Sequence, residues 1–311
     1  MIKKTNNFDD YSRNKGSLLS KIRTPLLSLY AVLKKSPPIW NILNSKGITL
    51  YKKNSPILDD LQKRIVKNLI ENGIATTSLD ELFPNKDILS RLLEVSNQKI
   101  ENTVPNKDKP FLNYAFGRGS IIDFSNPLIK LSIHPRILEI INTYIGYCAK
   151  LVYFDMQKSN LVKEQSLAMG SQRWHRDPAL HKLCKMFIYL TDVDEKSGPF
   201  TYLLKSQKNA KFGKIFPQRQ FGRHGFYPRD GAVEKLVSKN DIMVCNGIKG
   251  SIIFCDTIGL HKGGFSISKH RIMCTSTYMS EGEFIKRRYS HPIDAKEKIS
   301  KLHPVSQFAV I

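Results

Sequence analysis

Residues 171–178 read SQRWHRDP and contain a histidine and an aspartate one residue apart, His175 and Asp177. Because side chains alternate along an extended strand, both would point to the same face and could reach one metal ion. Far downstream, His261 stands in the glycine-rich stretch GLHKGG, and Arg271 follows ten residues later. Either histidine alone would more often be a hydrogen-bonded structural residue, but the combination favours a metal site.

Two histidines and one carboxylate on a β scaffold form the facial triad of non-haem Fe(II) oxygenases, which leaves three coordination positions open. A 2-oxo acid can occupy two of these positions, and O₂ can take the third. The far carboxylate of 2-oxoglutarate then needs a fixed cation, and Arg271 is the candidate because a guanidinium pairs with a carboxylate bidentately. Gln157 and Lys185 are weaker candidates for contact with this co-substrate. A ligand set without cysteine suits Fe(II) or Mn(II) better than structural zinc.

The residues WHRD at positions 174–177 also imitate the HRD sequence of the protein-kinase catalytic loop. A kinase would need an asparagine five residues after the aspartate and a glycine-rich phosphate loop upstream. Position 182 is lysine, and the chain contains no GxGxxG sequence. These two differences exclude the kinase interpretation.

Three segments together resemble the phytanoyl-CoA dioxygenase family of Fe(II)/2-oxoglutarate-dependent oxygenases. They are WHRDP, the following KMFIYLTDVDEKSGPFTYL, and SIIFCDTIGLHKGGFSISKHRIMCTSTY, and the resemblance covers roughly residues 58–280. It implies that His175, Asp177 and His261 bind iron and that Arg271 anchors 2-oxoglutarate, with ascorbate as a supporting reductant.

The resemblance also bears on the reaction and on one turn. Related halogenases replace the carboxylate ligand by a small residue, so the presence of Asp177 implies hydroxylation or another oxygenase outcome. Family members often carry a Gly-Ser-His turn after the Gly-Pro strand. This chain instead has Leu204-Lys205-Ser206-Gln207 at that place.

The elements that must position these residues can be read from hydrophobic periodicity. Apolar residues at three- and four-residue steps predict helices over residues 58–72, 87–100 and 135–145, with Gly73 and Gly146 ending the first and the third. Six short segments rich in β-branched and aromatic residues predict strands. They cover residues 149–157, 185–190, 200–204, 241–245, 251–254 and 271–278.

This pattern predicts a mainly β fold with flanking helices (α+β), a double-stranded β-helix of the jelly-roll or cupin-like type with an N-terminal helical buttress. We expect a basic N-terminal extension at residues 1–57, a dioxygenase domain at 58–285 and a C-terminal tail at 286–311. A basic insert at 205–229 carries seven cations, no acid and five aromatic residues. It is either a lid over a negatively charged substrate or a solvated loop whose aromatic rings tuck into the domain.

The chain of 311 residues has a net charge of +22 and a pI near 9.7. This balance would attract phosphates, nucleic acid or an anionic membrane face, although a lysine-rich composition can also reflect codon bias. The leading hypothesis is an enzyme that acts on a small-molecule substrate and requires no nucleic acid. The positive net charge of the chain favours an acidic substrate. The alternative is a polyanion-binding β-barrel protein with an inert or structural metal site.

Cysteine usage and hydropathy predict a cytoplasmic location. The five cysteines are odd in number, widely spaced and without a CxxC pair, which speaks against a disulfide framework. We see no apolar segment long enough to be a transmembrane span. A short amphipathic stretch at residues 26–34 leaves peripheral membrane contact open, but we expect it to pack against the domain.

Overall fold

The computed structural model describes residues 32–101, 103, 105, 109–163, 166–216, 227–283 and 287–311. Residues 26–31 of the amphipathic stretch and residues 217–226 of the basic insert lie outside them. The described helices are α1 (Pro37–Leu43), α2 (Ser45–Lys53), α3 (Asp60–Asn72), α4 (Leu79–Leu82), α5 (Ile88–Ile100), α6 (Pro127–Ser132), α7 (Pro135–Ile145), α8 (Ala295–Ser300) and α9 (Pro304–Val310). The strands are β1 (Ile74–Ser78), β2 (Leu112–Tyr114), β3 (Lys150–Ser159), β4 (Leu183–Tyr189), β5 (Phe200–Leu203), β6 (Ile242–Cys245), β7 (Ser251–Cys255), β8 (His261–Gly263) and β9 (Ile272–Met279).

Local sequence signals set the ends of the long helices. Helix α3 starts with a capping box, in which Asp59 and Gln62 satisfy each other's backbone N–H groups. It ends at Gly73, whose φ of 79° belongs to the left-handed region that glycine adopts without strain. His134 caps α7 at its start, and Gly146 ends it with a φ of 98°. The predicted ends of both helices and the predicted start of α7 are confirmed, whereas α3 begins at Asp60, two residues after its predicted start.

Two antiparallel sheets form the β part of the fold. The large sheet has the strand order β1-β7-β4-β9-β3-β2, and the small sheet has the order β6-β5-β8. All six predicted strands form, and the predicted jelly-roll fold with flanking helices is confirmed. Strands β1, β2 and β8 were not predicted, and β2 and β8 have only three residues each.

The large sheet separates a helical layer from the interior of the barrel. Along β4, Cys184, Met186 and Ile188 join the core cluster that the helices share, while Phe187 and Tyr189 join a cluster with the small sheet. Period-two alternation therefore gives the sheet one face for helices and one face for the interior. Burial of each large apolar side chain contributes about 1.5–3 kcal/mol to stability.

The C-terminal helices pack on the body of the protein. Helix α9 contacts β3, α7 and α2, and Val305 and Ala309 are buried in the helix-side core. The division of the chain at residues 57 and 285 stays a prediction. Among the described helices, none combines the length and apolar character needed to cross a bilayer.

Candidate metal centre and adjoining cavity

Backbone pairing brings the two predicted ligand segments together. The backbone N–H and C=O of His175 bond with those of His261, with both N···O distances 3.0 Å. Two residues on, Asp177 N–H donates to Thr257 O at 2.7 Å. The segment around His175 thus lies antiparallel beside the start of β8, which in turn pairs with β5. This arrangement turns His175, Asp177 and His261 toward one point.

The ligand atoms of these three side chains all lie within 4.8 Å of one another. His175 Nδ1 lies 2.8 Å from Arg173 O, and His261 Nδ1 lies 2.9 Å from Gly259 O. A backbone carbonyl at Nδ1 assigns the proton to that atom and leaves Nε2 as a lone-pair donor facing the carboxylate. His261 Nε2 is 3.7 Å from Asp177 Oδ2. The donor set therefore fits a metal ion held by two imidazoles and one carboxylate.

The electrostatic environment favours the protonation states that metal ligands need. Burial alone would raise the pKa of Asp177, but the charge of Lys185, which also donates a hydrogen bond to this carboxylate, holds the pKa well below its usual range. Burial also lowers the pKa of His175 and of His261. Near neutral pH the carboxylate is ionised and both imidazoles are neutral, which is the state that coordinates a divalent cation.

All six predicted site residues line one cavity of about 430 Å³. Lys185 Nζ lies 2.5 Å from Asp177 Oδ2, so this lysine is brought to the triad itself. Gln157 pairs with Met273 across β3 and β9, and Met273 is two residues from Arg271 in sequence, so Gln157 lies at the Arg271 end of β9. The two weaker candidates therefore lie in different places: Lys185 lies beside the carboxylate of Asp177, and Gln157 lies toward Arg271.

Arg271 directly precedes β9 and is buried. Its backbone N–H donates to Ser159 Oγ at 2.8 Å, and its Nη1 donates to Gly198 O. Gly263 faces its Nη2 group and lies two residues, about 7 Å, along β8 from His261. Among the described residues, no carboxylate forms an ion pair with Arg271. A buried guanidinium in this position favours an anion in the cavity next to it.

Arg176 is a structural residue that the sequence analysis missed. The alternation that directs its two neighbours to the triad directs Arg176 the other way, and it is only 2% exposed. Burial lowers its pKa to about 10. Its guanidinium donates to five backbone carbonyls: Ser206 (2.5 Å), Ile258 (2.7 Å), Ile215 (2.9 Å), Phe216 (3.0 Å) and Phe212 (3.1 Å). Arg176 thereby fixes the start of the basic insert to the loop before His261.

The described part of the insert packs into the domain. Phe212, Ile215 and Phe216 lie against a cluster that includes Trp174 and Leu260. None of the described insert residues lines the cavity. These contacts agree with the interpretation that the insert's aromatic rings tuck into the domain, while residues 217–226 lie outside the described chain.

Ser206 occupies the turn where the resembling family often has Gly-Ser-His. Its hydroxyl donates to Leu203 O at 2.6 Å and accepts from Leu260 N–H at 2.8 Å. A side chain at Gly259 would collide with Ser206 and with the hydroxyl of Tyr202, so the close approach requires glycine. The turn therefore supports, through Ser206, the backbone that presents His261.

Asp256 lies behind the triad rather than in the cavity. Its Oδ1 accepts from Ile258 N–H at 2.9 Å, and its Oδ2 accepts from Tyr144 Oη–H at 2.7 Å. Burial raises its pKa to about 6, against the lowering effect of the Tyr144 hydrogen bond. Both contacts make Asp256 a turn residue that ties the loop before β8 to helix α7.

No protein-family model matches the chain, and no curated protein matches it. Solved structures do share its fold. The chain is similar to the non-haem α-ketoglutarate-dependent epimerase SnoN from nogalamycin biosynthesis, with 15% identity and a TM-score of 0.52 over 71% of this chain and 83% of that chain. The same epimerase in complex with Fe³⁺, α-ketoglutarate and nogalamycin RO has 13% identity and a TM-score of 0.53 over 73% and 86%.

A third similar structure is HygX from Streptomyces hygroscopicus with nickel, 2-oxoglutarate and hygromycin B bound. It has 14% identity and a TM-score of 0.49, and covers 74% of this chain and 90% of that chain. Because the epimerase structures are only 15% and 13% identical to this chain, their likeness shows the fold alone. The chain has the jelly-roll fold found in that α-ketoglutarate-dependent epimerase, and it carries a His-Asp-His group within that fold.

Proposed function

We propose that this protein is an Fe(II)- and 2-oxoglutarate-dependent dioxygenase of the phytanoyl-CoA dioxygenase family, which hydroxylates a small organic substrate and releases succinate and CO₂. One observation supports this proposal most strongly. A His-Asp-His group and a buried arginine without a carboxylate partner among the described residues line the same cavity. Metal coordination and capture of a diacid both have their donors in place.

In this proposal His175, Asp177 and His261 hold the iron. The bound iron would bring 2-oxoglutarate and O₂ together and supply the oxidising chemistry. The carbonyl groups of Arg173 and Gly259 keep each imidazole proton on Nδ1, so that Nε2 faces the metal. These two contacts fix the orientation of each imidazole ring, so the ligands are in position before a metal binds.

Arg271 binds the distal carboxylate of the co-substrate. Its Nη1 is held by Gly198 O, which fixes the plane of the guanidinium, and its Nη2 lies toward Gly263, where no side chain stands between them. Gln157 is proposed to contact the co-substrate from the neighbouring strand. Lys185 keeps Asp177 ionised through its ion pair, and a charged group there can also bind a co-substrate oxygen.

The surroundings of His175 restrict access to the centre. The ring of Tyr227 stacks on the imidazole with centroids 5.7 Å apart, and His175 is 9% exposed. A metal site whose ligands are shielded in this way admits reactants through the cavity rather than from bulk water. We also propose a cytoplasmic location, because all five cysteines are buried free thiols.

Succinate formation tests the proposal. Purified protein with Fe(II), 2-oxoglutarate and ascorbate should form succinate under O₂, and Asp177→Ala should not. Asp80→Ala, an exposed position on α4, is the matched control and should behave as wild type. In parallel, anaerobic titration should show that 2-oxoglutarate binds wild type more tightly with Fe(II) than without it. Wild-type protein that forms no iron-dependent succinate and binds no 2-oxoglutarate contradicts the proposal.

A further inference from the structure

The pair of backbone segments that carries both histidine ligands has a second face, turned away from the cavity. His175 and His261 stand opposite each other and exchange both backbone hydrogen bonds. In an antiparallel pair the residue before His175 therefore stands opposite the residue after His261, and alternation directs both away from the metal site. These residues are Trp174 and Lys262, and Lys262 Nζ lies 4.8 Å from the centroid of the Trp174 ring. The reverse face thus carries one cross-strand pair directly behind the two histidines.

One carboxylate joins the two members of this pair. Glu234 Oε1 accepts the indole N–H of Trp174 at 2.7 Å. The same oxygen accepts from Lys262 Nζ at 3.1 Å. Each of the two segments that carry a histidine ligand therefore donates to one oxygen atom. Glu234 forms a side-chain bridge across the segments, behind the backbone hydrogen bonds that join them.

The segment that carries this glutamate contacts the ligand residues from both sides. On the reverse face Val233 is buried in a cluster with Trp174 and Leu260, which directly precede the two histidines in sequence. On the ligand face the ring of Tyr227 stacks on the imidazole of His175, with centroids 5.7 Å apart. The position of the bridging carboxylate is thus fixed by packing next to it in the chain.

The two hydrogen bonds of Glu234 differ in what their loss would do. The ion pair with Lys262 is open to water, since the two side chains are 42% and 30% exposed, and such pairs contribute little. The indole N–H belongs to Trp174, which is 5% exposed, and a buried donor that loses its acceptor is unfavourable. The accepting oxygen therefore matters more than the negative charge, and a neutral acceptor of the same length should replace the carboxylate.

We propose that Glu234 is a positioning residue for the metal centre, which keeps the two ligand segments in register by bridging Trp174 and Lys262. The imidazoles of His175 and His261 are thereby held at the separation that one metal ion requires. Glu234 is not among the described residues that line the cavity, and it acts through the two residues that it bridges. This inference rests on the proposed function, in which both histidines bind the metal.

The Mn(II) affinity of Glu234→Ala and Glu234→Gln tests this inference, with free Mn(II) measured by electron paramagnetic resonance. We expect Glu234→Ala to weaken binding about fivefold or more, and Glu234→Gln to stay within about twofold of wild type. In a Trp174→Phe background, Glu234→Ala should cause less than about a twofold further loss, because the indole donor is already absent. The matched control is Glu297→Ala, which removes an exposed glutamate paired with Lys301 and should bind as wild type.

Hydrogen exchange of the metal-free protein gives a second measurement that needs no metal. The backbone N–H groups of His175 and His261 should exchange about fivefold faster or more in Glu234→Ala and at the wild-type rate in Glu234→Gln, whereas exchange in β4 should not change. The inference is overturned if Glu234→Ala binds Mn(II) as wild type does, if Glu234→Gln loses as much affinity as Glu234→Ala, or if exchange rises equally throughout the large sheet. Wild-type protein that binds no Mn(II) would instead contradict the proposed function itself.

Discussion

The two faces of the large sheet carry different kinds of side chain on the same strands. Toward the helices, Met186 and Ile188 of β4 and Cys274 of β9 belong to one continuous apolar core. Toward the cavity, Lys185 of β4 and Thr275 of β9 line the space that contains the triad. One strand therefore contributes to stability through alternate residues and to the site through the residues between them.

The difference shows how this fold carries a polar, charged site without losing its core. The helix-side face has no reason to vary with the reaction, whereas the cavity face must supply donors and open space. Neighbouring residues along one strand should accordingly differ in what their replacement affects.

Loss of a ligand should remove activity with little loss of stability, and loss of a helix-side residue should do the opposite. We expect His261→Ala to reduce iron-dependent succinate formation by more than about 100-fold, since its imidazole is one of three proposed ligands. Met186→Ala should lower the free energy of unfolding by about 2–5 kcal/mol through the cavity it leaves. Urea unfolding and succinate assays on both variants measure the two effects, and a folded His261→Ala protein with full activity would contradict the separation.

At Arg176 we expect a single residue to affect both the stability of the fold and the support of the site. Replacing it by methionine leaves five backbone carbonyls in the interior without their donor, and we expect a loss of about 3 kcal/mol or more in unfolding free energy. The same change should release the start of the insert to limited proteolysis. Arg64→Met, whose exposed guanidinium pairs with the exposed Glu81, is the comparison and should change stability much less. Equal losses of unfolding free energy in the two variants would show that the buried carbonyl contacts of Arg176 add nothing to stability beyond an exposed ion pair.

Arg271→Lys should affect the co-substrate rather than the core. Lysine keeps the positive charge but lacks the planar group that can bond Gly198 O and a carboxylate together. We expect the KM for 2-oxoglutarate to rise by about tenfold or more, with a smaller change in kcat. Steady-state succinate kinetics check this. An unchanged KM would mean that another cation holds the distal carboxylate.

Asp256 should give the smallest effect, and on stability alone. Its pKa of about 6 in the folded protein lies above its ordinary value of 3.8. The folded state therefore takes up a proton between pH 7 and pH 5 that the unfolded state does not. Protonation of Asp256 thus stabilises the folded state as the pH falls, and this stabilisation is lost as the pH rises above about 6. We expect wild type to gain about 1 kcal/mol more than Asp256→Asn between pH 7 and pH 5 in urea unfolding. The same gain in both proteins would remove Asp256 as the cause.

The sequence predicted the parts of the fold that local patterns encode. Helix α3 follows from its apolar spacing and from Gly73, and β9 follows from its β-branched and aromatic residues. Strands β2 and β8 could not be predicted because three residues are too few to show a period. The C-terminal helices α8 and α9 are also short, and their burial depends on a surface that only the folded sheet provides.

The site was predictable where spacing carried the information. His175 and Asp177 share a face by alternation, and His261 and Arg271 were assigned from their context. The buried role of Arg176 follows from the same alternation, but four of its carbonyl partners lie 30 to 40 residues away and the fifth, Ile258, lies 82 residues away.

Titration with Mn(II), followed by the electron paramagnetic resonance signal of the free ion, tests most directly whether three distant side chains form one metal site. The account predicts one tightly bound Mn(II) per wild-type chain, and loss of that binding in each of His175→Ala, Asp177→Ala and His261→Ala. Wild-type protein that binds no Mn(II), or three variants that bind it as wild type does, would contradict the account.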